Sequence, residues 1–259
     1  MSKPVVAAQM YTCRDFCKTP PEIVESLKKV ADIGYTAIQA SGMGREEEMP
    51  PQDMRDVCDD LGLKICATHI SFEEMRDEPE RVIEEHKIMG ATYAGIGGAP
   101  QYARESEQTW VDFAKEASEV AARLAEDDIV FIYHNHSQEY AKFGERTVME
   151  ILFEESDPNY FMFEPDTYWV QHGGASPVAW LNKLSGRCPV VHLKDMAITF
   201  EREQFYTEIG EGNLDWPGIM QACEDADVKW MPVEQDQTPG DPFDSLKISY
   251  DNLKSWGYE

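Results

Sequence analysis

The sequence is poor in basic residues, and this scarcity limits the partners that the protein can have. Its 259 residues include 23 lysines and arginines against 49 aspartates and glutamates, which gives a formal net charge of −26. Nucleic-acid binding depends on Lys and Arg displacing the counterions of the phosphate backbone, so this charge opposes it. The same charge opposes an anionic membrane surface. We therefore expect neither a nucleic acid nor a membrane as a partner.

Paired cysteines and long apolar runs are also missing. The six cysteines show no CxxC spacing, and Cys66 and Cys188 lie in apolar stretches where a thiol is usually core filler. A reducing compartment is the simpler interpretation. The apolar run at the N-terminus is too short for a signal peptide, and no segment approaches the length of a membrane span. We expect a cytoplasmic protein.

The sequence has no glycine-rich dinucleotide fingerprint and no Walker A motif, which disfavours a doubly wound open sheet. It has instead short apolar runs that alternate with amphipathic helical patterns. The apolar runs predict eight strands, at Val5–Tyr11, Tyr35–Ser41, Lys64–Ile70, Thr92–Ile96, Ile129–His136, Tyr160–Asp166, Val190–Lys194 and Lys229–Glu234. The patterns between and after them predict eight helices, among them Glu105–Ala125, Arg146–Phe153 and Phe243–Trp256.

This alternation predicts an α/β fold with a parallel sheet, because uninterrupted apolar strands are buried on both faces. Eight strand–helix repeats in about 250 residues match a closed (β/α)8 TIM barrel. No linker or low-complexity tract divides the chain, so we expect residues 1–259 to form a single domain.

Four of the predicted strands change abruptly from apolar residues to residues that bind metals. They read IVFIYHNH, YFMFEPD, CPVVHLKD and KWMPVEQD, and they contribute His134, Asp166, His192 and Glu234. Because a TIM barrel has its active site at the C-terminal ends of the strands, these four side chains should converge. Two imidazoles and two carboxylates suit Mn2+, Co2+, Fe2+, Mg2+ or Zn2+, and the lack of thiolates excludes a structural zinc site. The alternative is that each is a hydrogen-bonded residue at a strand end.

Several motifs resemble the xylose isomerase-like TIM-barrel superfamily, commonly labelled sugar phosphate isomerase/epimerase, and the similarity runs almost end to end. They are Tyr133-His134-Asn135-His136, Asp166-Thr167-Tyr168-Trp169 with Gln171-His172-Gly173-Gly174, His192-Leu193-Lys194-Asp195, Gly210-Glu211-Gly212 before Asp215-Trp216, and Val233-Glu234-Gln235-Asp236. The resemblance implies a divalent metal at the ends of strands five to eight. Carried over residue by residue, its ligands are His134, Asp166, His192 and Glu234.

One residue departs from the pattern of the epimerases in this superfamily. Epimerases of the tagatose 3-epimerase kind carry a glutamate on the fifth strand, which acts with the eighth-strand glutamate as one of two opposed bases. This chain has His134 there, and a histidine bound to a metal is poorly placed to take a proton. The His-Asn-His motif also resembles barrels near inosose dehydratase and the lyases and deglycosidases that act on 3-keto sugars.

The chemistry we predict is removal of a proton next to a carbonyl, with the metal as Lewis acid. Glu234 is the first candidate for the base, and His136, Glu164 and Lys194 follow. Lys194 has a second interpretation, an ion pair with Asp166 or Glu164. Gln39, His69 and Trp169 are candidate substrate-binding residues, with structural roles as the alternative. Arg14, Arg45 and Arg104 follow strands and are candidates for binding an anion.

Four functions remain open at this point. The first is a metal-dependent sugar isomerase or epimerase, with Mn2+ as the preferred ion. The second is a lyase, dehydratase or deglycosidase that eliminates a group from a keto-sugar. An abasic-site endonuclease is opposed by the charge of −26 and by the presence of only six histidines. The fourth is a sugar-binding barrel without catalysis. The partner in the first two is a small sugar or keto-sugar, and a homo-oligomer is left open.

Overall fold

The main sheet is a curved set of seven parallel strands surrounded by helices. The structure, a computed structural model, describes residues 3–43 and 49–259. In chain order the strands of this sheet are Val5–Gln9, Ala37–Ala40, Lys64–His69, Tyr93–Ile96, Val130–His134, Met162–Glu164 and Trp230–Val233. Neighbours in sequence are neighbours in the sheet, and the last strand pairs with the first. This is the order of a barrel, as predicted.

The predicted strand Val190–Lys194 forms isolated bridges instead of a continuous strand. Its residues pair with Asp166 on one side and with Trp230 and Val233 on the other, so the segment fills the gap in the ring. Pro165 and Pro232 accept hydrogen bonds from His192 and Leu193, but a proline nitrogen has no hydrogen to donate in return. The pairing on each side therefore lacks one hydrogen bond of a regular parallel ladder, and the segment forms isolated bridges instead of a strand.

Ten α-helices are present in the described part of the chain. They are Pro20–Ile33, Pro51–Asp60, Phe72–Asp77, Pro79–Met89, Glu107–Ala125, Val148–Glu155, Thr167–His172, Pro177–Lys183, Trp216–Asp225 and Pro242–Ser255. Short 3-10 helices occupy Met10–Phe16, Gln101–Arg104 and Ser137–Tyr140. The predicted helix Arg146–Phe153 begins two residues later than expected because Thr147 is its N-cap and accepts a hydrogen bond from the Glu150 amide.

The sequence did not predict two hairpins and two short helices. The hairpins pair Lys142–Phe143 with Arg146–Thr147 and Asp195–Ile198 with Gln204–Thr207. The helices are Phe72–Asp77 and Thr167–His172. Each of these helices has six residues, which is too short for an amphipathic pattern to stand out.

Alternate residues of the strands point into the barrel, and they separate into two layers. Small and apolar side chains fill the N-terminal end, including Ala7, Ala37, Ile132 and Val190. Two residues further along each of these strands, the inward positions carry Gln9, Gln39, His134 and His192. Because a strand repeats every two residues, an apolar floor beneath a polar layer follows from the sequence alone.

The structure bears on two expectations from composition, one about the cysteines and one about membrane-spanning segments. All six cysteines are buried and free, and burial raises the pKa of Cys58 and Cys188 to about 12, as expected for core filler. Among the helices of residues 3–43 and 49–259, none has the length and apolarity that a bilayer crossing requires.

His86 lies behind the third strand and should make stability depend on pH. Its Nε2 lies 2.7 Å from the Thr68 hydroxyl and its Nδ1 2.7 Å from the Val82 carbonyl. Burial lowers the pKa of His86 below its ordinary value of 6.5, against a smaller upward effect of the Val82 carbonyl. Below that ordinary value the unfolded chain binds a proton that the folded chain does not, so the free energy of unfolding falls as the pH falls.

The variant His86→Gln lacks this titration. From about pH 6.5 to about pH 5 it should therefore lose less stability than the natural protein does. Urea unfolding midpoints at the two pH values measure the difference. Equal losses in the two proteins would show that His86 is not responsible.

Candidate functional site

His134, Asp166, His192 and Glu234 converge at the C-terminal end of the barrel. One nitrogen or oxygen atom of each lies within 4.8 Å of the corresponding atoms of the other three. All four residues are buried. They come from the fifth strand, the end of the sixth, the bridging segment and the end of the last strand, which are neighbours in the ring. Side chains separated by up to 100 residues therefore meet at one point.

The atoms of this cluster are arranged as metal ligands are. His134 Nε2 lies 3.2 Å from Asp166 Oδ2, and His192 Nδ1 lies 3.0 Å from Glu234 Oε2 and 3.9 Å from Asp166 Oδ2. Within the described residues, the buried atom His192 Nδ1 makes no hydrogen bond, although it lies close to Glu234 Oε2. Buried polar atoms without partners are rare in folded proteins. Two imidazoles and two carboxylates with such atoms fit a divalent cation.

Lys194 lies beside the cluster and is almost completely buried, with 1% of its side chain exposed. Its ammonium lies 3.0 Å from Asp166 Oδ2, 2.9 Å from Glu234 Oε2 and 2.8 Å from Asp236 Oδ2. The ion pair between Lys194 and Asp166 is thus present, and within the described residues Lys194 makes no ion pair with Glu164. One ammonium faces three carboxylates, so negative charge remains in a buried place. Such an excess favours the binding of a further cation.

The pKa values reflect this excess of negative charge. Burial by itself lowers the pKa of His192, but Glu164 and Glu234 outweigh it and raise that pKa to about 10. Burial also lowers the pKa of Lys194, and Asp166, Glu234 and Asp236 together raise it well above its ordinary value. Burial raises the pKa of Glu234, but Lys194 and His192 hold it well below the usual range. Glu234 is therefore ionised at neutral pH.

His136, Trp169 and Tyr140 lie beyond the cluster on one side. The His136 ring lies 4.9 Å from that of His134 and 5.3 Å from that of Trp169, measured between centroids. Burial lowers the pKa of His136, so its ring is neutral at neutral pH. The buried Trp169 Nε1 and Tyr140 hydroxyl lack partners in the part of the chain that the structure describes. Each of these two groups therefore keeps a hydrogen that makes no hydrogen bond within the described residues.

Gln39, Glu164 and His69 form a second hydrogen-bonded group next to His192. Gln39 accepts from His192 Nε2 at 2.6 Å and donates to Glu164 Oε1 at 2.9 Å. The other oxygen of Glu164 lies 2.5 Å from His69 Nε2. Glu164 is completely buried, and burial would raise its pKa, but His192 and His69 lower it strongly. Both of its oxygens are engaged by protein groups.

Two of the three arginines that are candidates for binding an anion donate hydrogen bonds to backbone carbonyls. Arg14 donates to the Tyr11 and Asp236 carbonyls at 2.9 and 2.8 Å, and Arg104 donates twice to the Ala99 carbonyl. Arg45 lies outside the described residues. His172, which belongs to one of the motifs quoted above, stacks its ring on that of Tyr168 with centroids 5.7 Å apart.

Sequence reasoning missed three residues that position this site. Asn135 Oδ1 accepts from the Asp166 amide at 3.2 Å, and Glu139 accepts from the His136 amide at 2.8 Å and the Tyr133 hydroxyl at 2.7 Å. Asp195 accepts from the amides of Gly210 and Gly212 and from Trp216 Nε1 at 2.6 Å. Asp195 and Asn135 lie within motifs already quoted, whereas Glu139 is signalled by its position three residues after His136, as in a capping box.

Comparison with known proteins agrees with this architecture. The sequence profile described as "Xylose isomerase-like TIM barrel" matches residues 27–255. The chain is 30% identical over 254 residues to an inosose dehydratase of Clostridium beijerinckii, which covers 86% of the chain and 78% of that protein. A sugar phosphate isomerase/epimerase from Parabacteroides distasonis has the same fold, with a TM-score of 0.81, 21% identity and 98% of each chain covered. The crystal structure of IOLI protein with a bound zinc atom has a TM-score of 0.68, at 12% identity over 96% of this chain and 97% of that chain. The chain belongs to the xylose isomerase-like TIM barrel family.

Proposed function

We propose that the protein is a divalent-metal-dependent enzyme that removes the proton next to the carbonyl group of a sugar or keto-sugar. The observation that carries this proposal is the buried cluster of His134, Asp166, His192 and Glu234, in which the nitrogen His192 Nδ1 makes no hydrogen bond. Its place at the C-terminal end of a barrel is where such enzymes hold their substrates. The name of the curated relative, an inosose dehydratase, supports a small keto-substrate.

These four residues would hold the ion. When bound there, a divalent cation supplies Lewis-acid polarisation of the substrate carbonyl. The mixed donor set suits Mn2+, which we prefer, and also Co2+, Mg2+, Fe2+ and Zn2+. The zinc atom of the IOLI structure supports a divalent ion in a barrel of this kind.

Glu234 is our candidate for the base, and Lys194 for the group that neutralises developing negative charge. Glu234 is ionised because the Lys194 ammonium and His192 hold its pKa down against the upward effect of burial. The ammonium itself stays protonated, since three carboxylates raise its pKa. A negative oxygen of the substrate near Lys194 would be stabilised by a charge that is already in place.

His136 and Trp169 would form one wall of the substrate site, and His69 the other. The ring of Trp169 offers a stacking surface and an Nε1 hydrogen without a partner in the described chain. The Lys194 ammonium lies 5.5 Å from the centre of that ring, so the wall and the charged group are adjacent. His136 is neutral and can accept a proton or donate a hydrogen bond within this wall.

Proton removal can lead to isomerisation or to elimination, and two observations favour elimination. The fifth-strand ligand is His134, so the second carboxylate base that a two-base epimerase needs is not at that position. The curated relatives of 30% and 28% identity are inosose dehydratases, whose name describes the loss of water. Elimination also needs a proton for the departing oxygen; the Lys194 ammonium carries one, and Trp169 Nε1 can donate a hydrogen bond to that oxygen. Isomerisation, which the sequence alone ranked first, remains the second candidate.

Incubation of the metal-loaded protein in deuterated water tests the proposal. A panel of candidate substrates is used, which contains ketoses, 3-keto-glycosides and an inosose. NMR follows deuterium incorporation and bond cleavage in each of them. We expect deuterium exchange at the carbon next to a carbonyl, together with loss of water or release of an aglycone. Exchange without cleavage would identify an isomerase instead. Neither exchange nor cleavage in any member of the panel would contradict the proposal.

Replacement of the base gives a matched comparison. Glu234→Gln should slow the exchange by roughly a hundredfold to ten-thousandfold, the usual contribution of a positioned base. Asp60→Asn, which removes an exposed carboxylate at the end of helix Pro51–Asp60, should leave the rate unchanged. Metal content is measured in each variant, so that loss of the ion is distinguished from loss of the base.

A further inference from the structure

We infer that Gln39 and Glu164 fix which nitrogen carries the proton in two imidazoles, His192 and His69. We further infer that this arrangement makes His69 Nδ1 a hydrogen-bond acceptor for a hydroxyl group of the substrate. The first part depends only on the hydrogen bonds of the folded chain. The second rests on the proposed function, because it requires a hydroxylated substrate in this barrel.

The orientation of the Gln39 amide follows from its two partners. Glu164 is a carboxylate that can only accept, so the Gln39 group 2.9 Å from its Oε1 must be the amide nitrogen. The carbonyl oxygen of Gln39 then faces His192 Nε2 at 2.6 Å and requires a hydrogen on that nitrogen. Glu164 Oε1, 3.1 Å from the same nitrogen, requires the same hydrogen. When His192 binds a metal ion it keeps a single ring hydrogen, these contacts hold that hydrogen on Nε2, and Nδ1 then faces Asp166 and Glu234 as the ligand atom.

The same carboxylate orients His69. Glu164 Oε2 lies 2.5 Å from His69 Nε2, and a carboxylate can only accept, so this nitrogen donates and carries a hydrogen. A ring with one hydrogen then has its lone pair on Nδ1. Nothing in the described chain makes a hydrogen bond to His69 Nδ1, and 13% of the side chain is exposed. Glu164 is completely buried with both oxygens occupied, so it acts as a positioning residue and has no access to a substrate.

Gly95 in the fourth strand, with Gly97 and Gly98 directly after it, leaves space in front of His69. A Cβ atom on Gly95 would lie 2.6 Å from His69 Cδ2, so only glycine there lets the ring adopt its position. A Cβ on Gly97 would lie 3.9 Å from His69 Nδ1, and one on Gly98 would lie 3.9 Å from His136 Nδ1. The backbone of these glycines therefore lines one side of the space between the rings of His69 and His136. A hydroxyl group there can donate to His69 Nδ1.

An exchange of the two polar residues tests the relay. In Glu164→Gln the new amide must accept from Gln39 and donate towards His69 Nε2, which moves the His69 hydrogen to Nδ1. In the double variant Gln39→Glu, Glu164→Gln, position 39 accepts from His192 and position 164 accepts from His69 Nε2, so both rings regain their original hydrogens. The variant Gln39→Leu removes the nearer acceptor of His192 Nε2 and leaves it only Glu164 Oε1, at 3.1 Å.

Nitrogen-15 NMR of the histidine rings in the zinc-loaded protein reads these assignments directly. We expect His69 to carry its hydrogen on Nε2 in the natural protein and the double variant, and on Nδ1 in Glu164→Gln. Gln39→Leu should weaken zinc affinity by about tenfold to a hundredfold in a chelator competition. Glu84→Gln, an exposed carboxylate, is the control. A doubly protonated or Nδ1-protonated His69 in the natural protein would overturn the assignment.

Kinetics with the panel of ketoses, 3-keto-glycosides and an inosose test the hydroxyl contact. Glu164→Gln should raise KM about tenfold with kcat nearly unchanged, since a lost ground-state hydrogen bond acts on binding. The double variant should restore KM. An unchanged KM, with the His69 hydrogen moved, would overturn the hydroxyl contact. If no member of the panel reacts, the proposed function fails, while the NMR result still decides the relay.

Discussion

Asp166→Asn should abolish stoichiometric metal binding and lower kcat/KM by about a thousandfold. The oxygen that would bind the ion, Asp166 Oδ2, becomes part of a neutral amide, and a Lewis acid contributes several kcal/mol to stabilisation of a transition state. The substitution keeps the fold, because Asp166 Oδ1 also caps helix Thr167–His172 through the Trp169 amide at 2.9 Å, and asparagine caps equally well. Metal content by mass spectrometry and steady-state kinetics measure the two effects.

Asp215→Asn is the matched control for this variant. Asp215 caps helix Trp216–Asp225 through the Gly218 amide at 3.2 Å, and it is exposed and outside the cluster. The control should keep its metal and its activity. An Asp166→Asn protein that retains one ion per chain and full activity would exclude the four-residue cluster as the metal site.

Lys194→Met should lower the free energy of unfolding of the metal-free protein by about 3–5 kcal/mol. Removal of one partner of a buried ion pair leaves an uncompensated charge, and here the ammonium faces Asp166, Glu234 and Asp236 at 3.0 Å or less. Methionine has a similar length, so loss of packing contributes little. Urea unfolding measures the change.

Divalent ions should reverse part of this loss. A cation bound to the same carboxylates replaces the missing charge and binds only the folded chain, so it should stabilise Lys194→Met more than the natural protein. Lys229→Met, which breaks the exposed pair with Asp227, should change stability by less than about 1 kcal/mol. A loss below about 1 kcal/mol in Lys194→Met would show that Lys194 does not compensate the buried carboxylates.

The period of the strands explains why much of the site could be predicted. His134, Asp166, His192 and Glu234 follow apolar runs at inward positions, and barrel closure brings inward strand ends together. The sequence interpretation of Lys194 included an ion pair with Asp166 or Glu164. The structure shows the pair with Asp166, and it adds Glu234 and Asp236. The sequence shows that Lys194 is a cation near carboxylates. Which carboxylates it pairs with depends on differences in distance of tenths of an ångström.

Glu164 illustrates what strand-end patterns leave open. The sequence made it a candidate base because it stands with Asp166 at the polar end of the sixth predicted strand. In the structure it is enclosed by Gln39, His192 and His69, and no oxygen faces the cleft. A pattern along one strand predicts the direction of a side chain, but its depth and neighbours depend on the adjacent strands.

The sequence by itself determined the architecture and the donor atoms, because periodicity and residue type are local properties of the chain. Eight strand–helix repeats, an acidic exterior and a ring of imidazoles and carboxylates can all be read without coordinates. Only the tertiary structure decided that prolines on the neighbouring segments reduce the segment of His192 to isolated bridges. It also decided that Glu164 faces His69 and that Lys194 faces three carboxylates. These pairings join residues far apart in the chain, and hydrogen-bond and ion-pair geometry is settled only when the ring of strands closes.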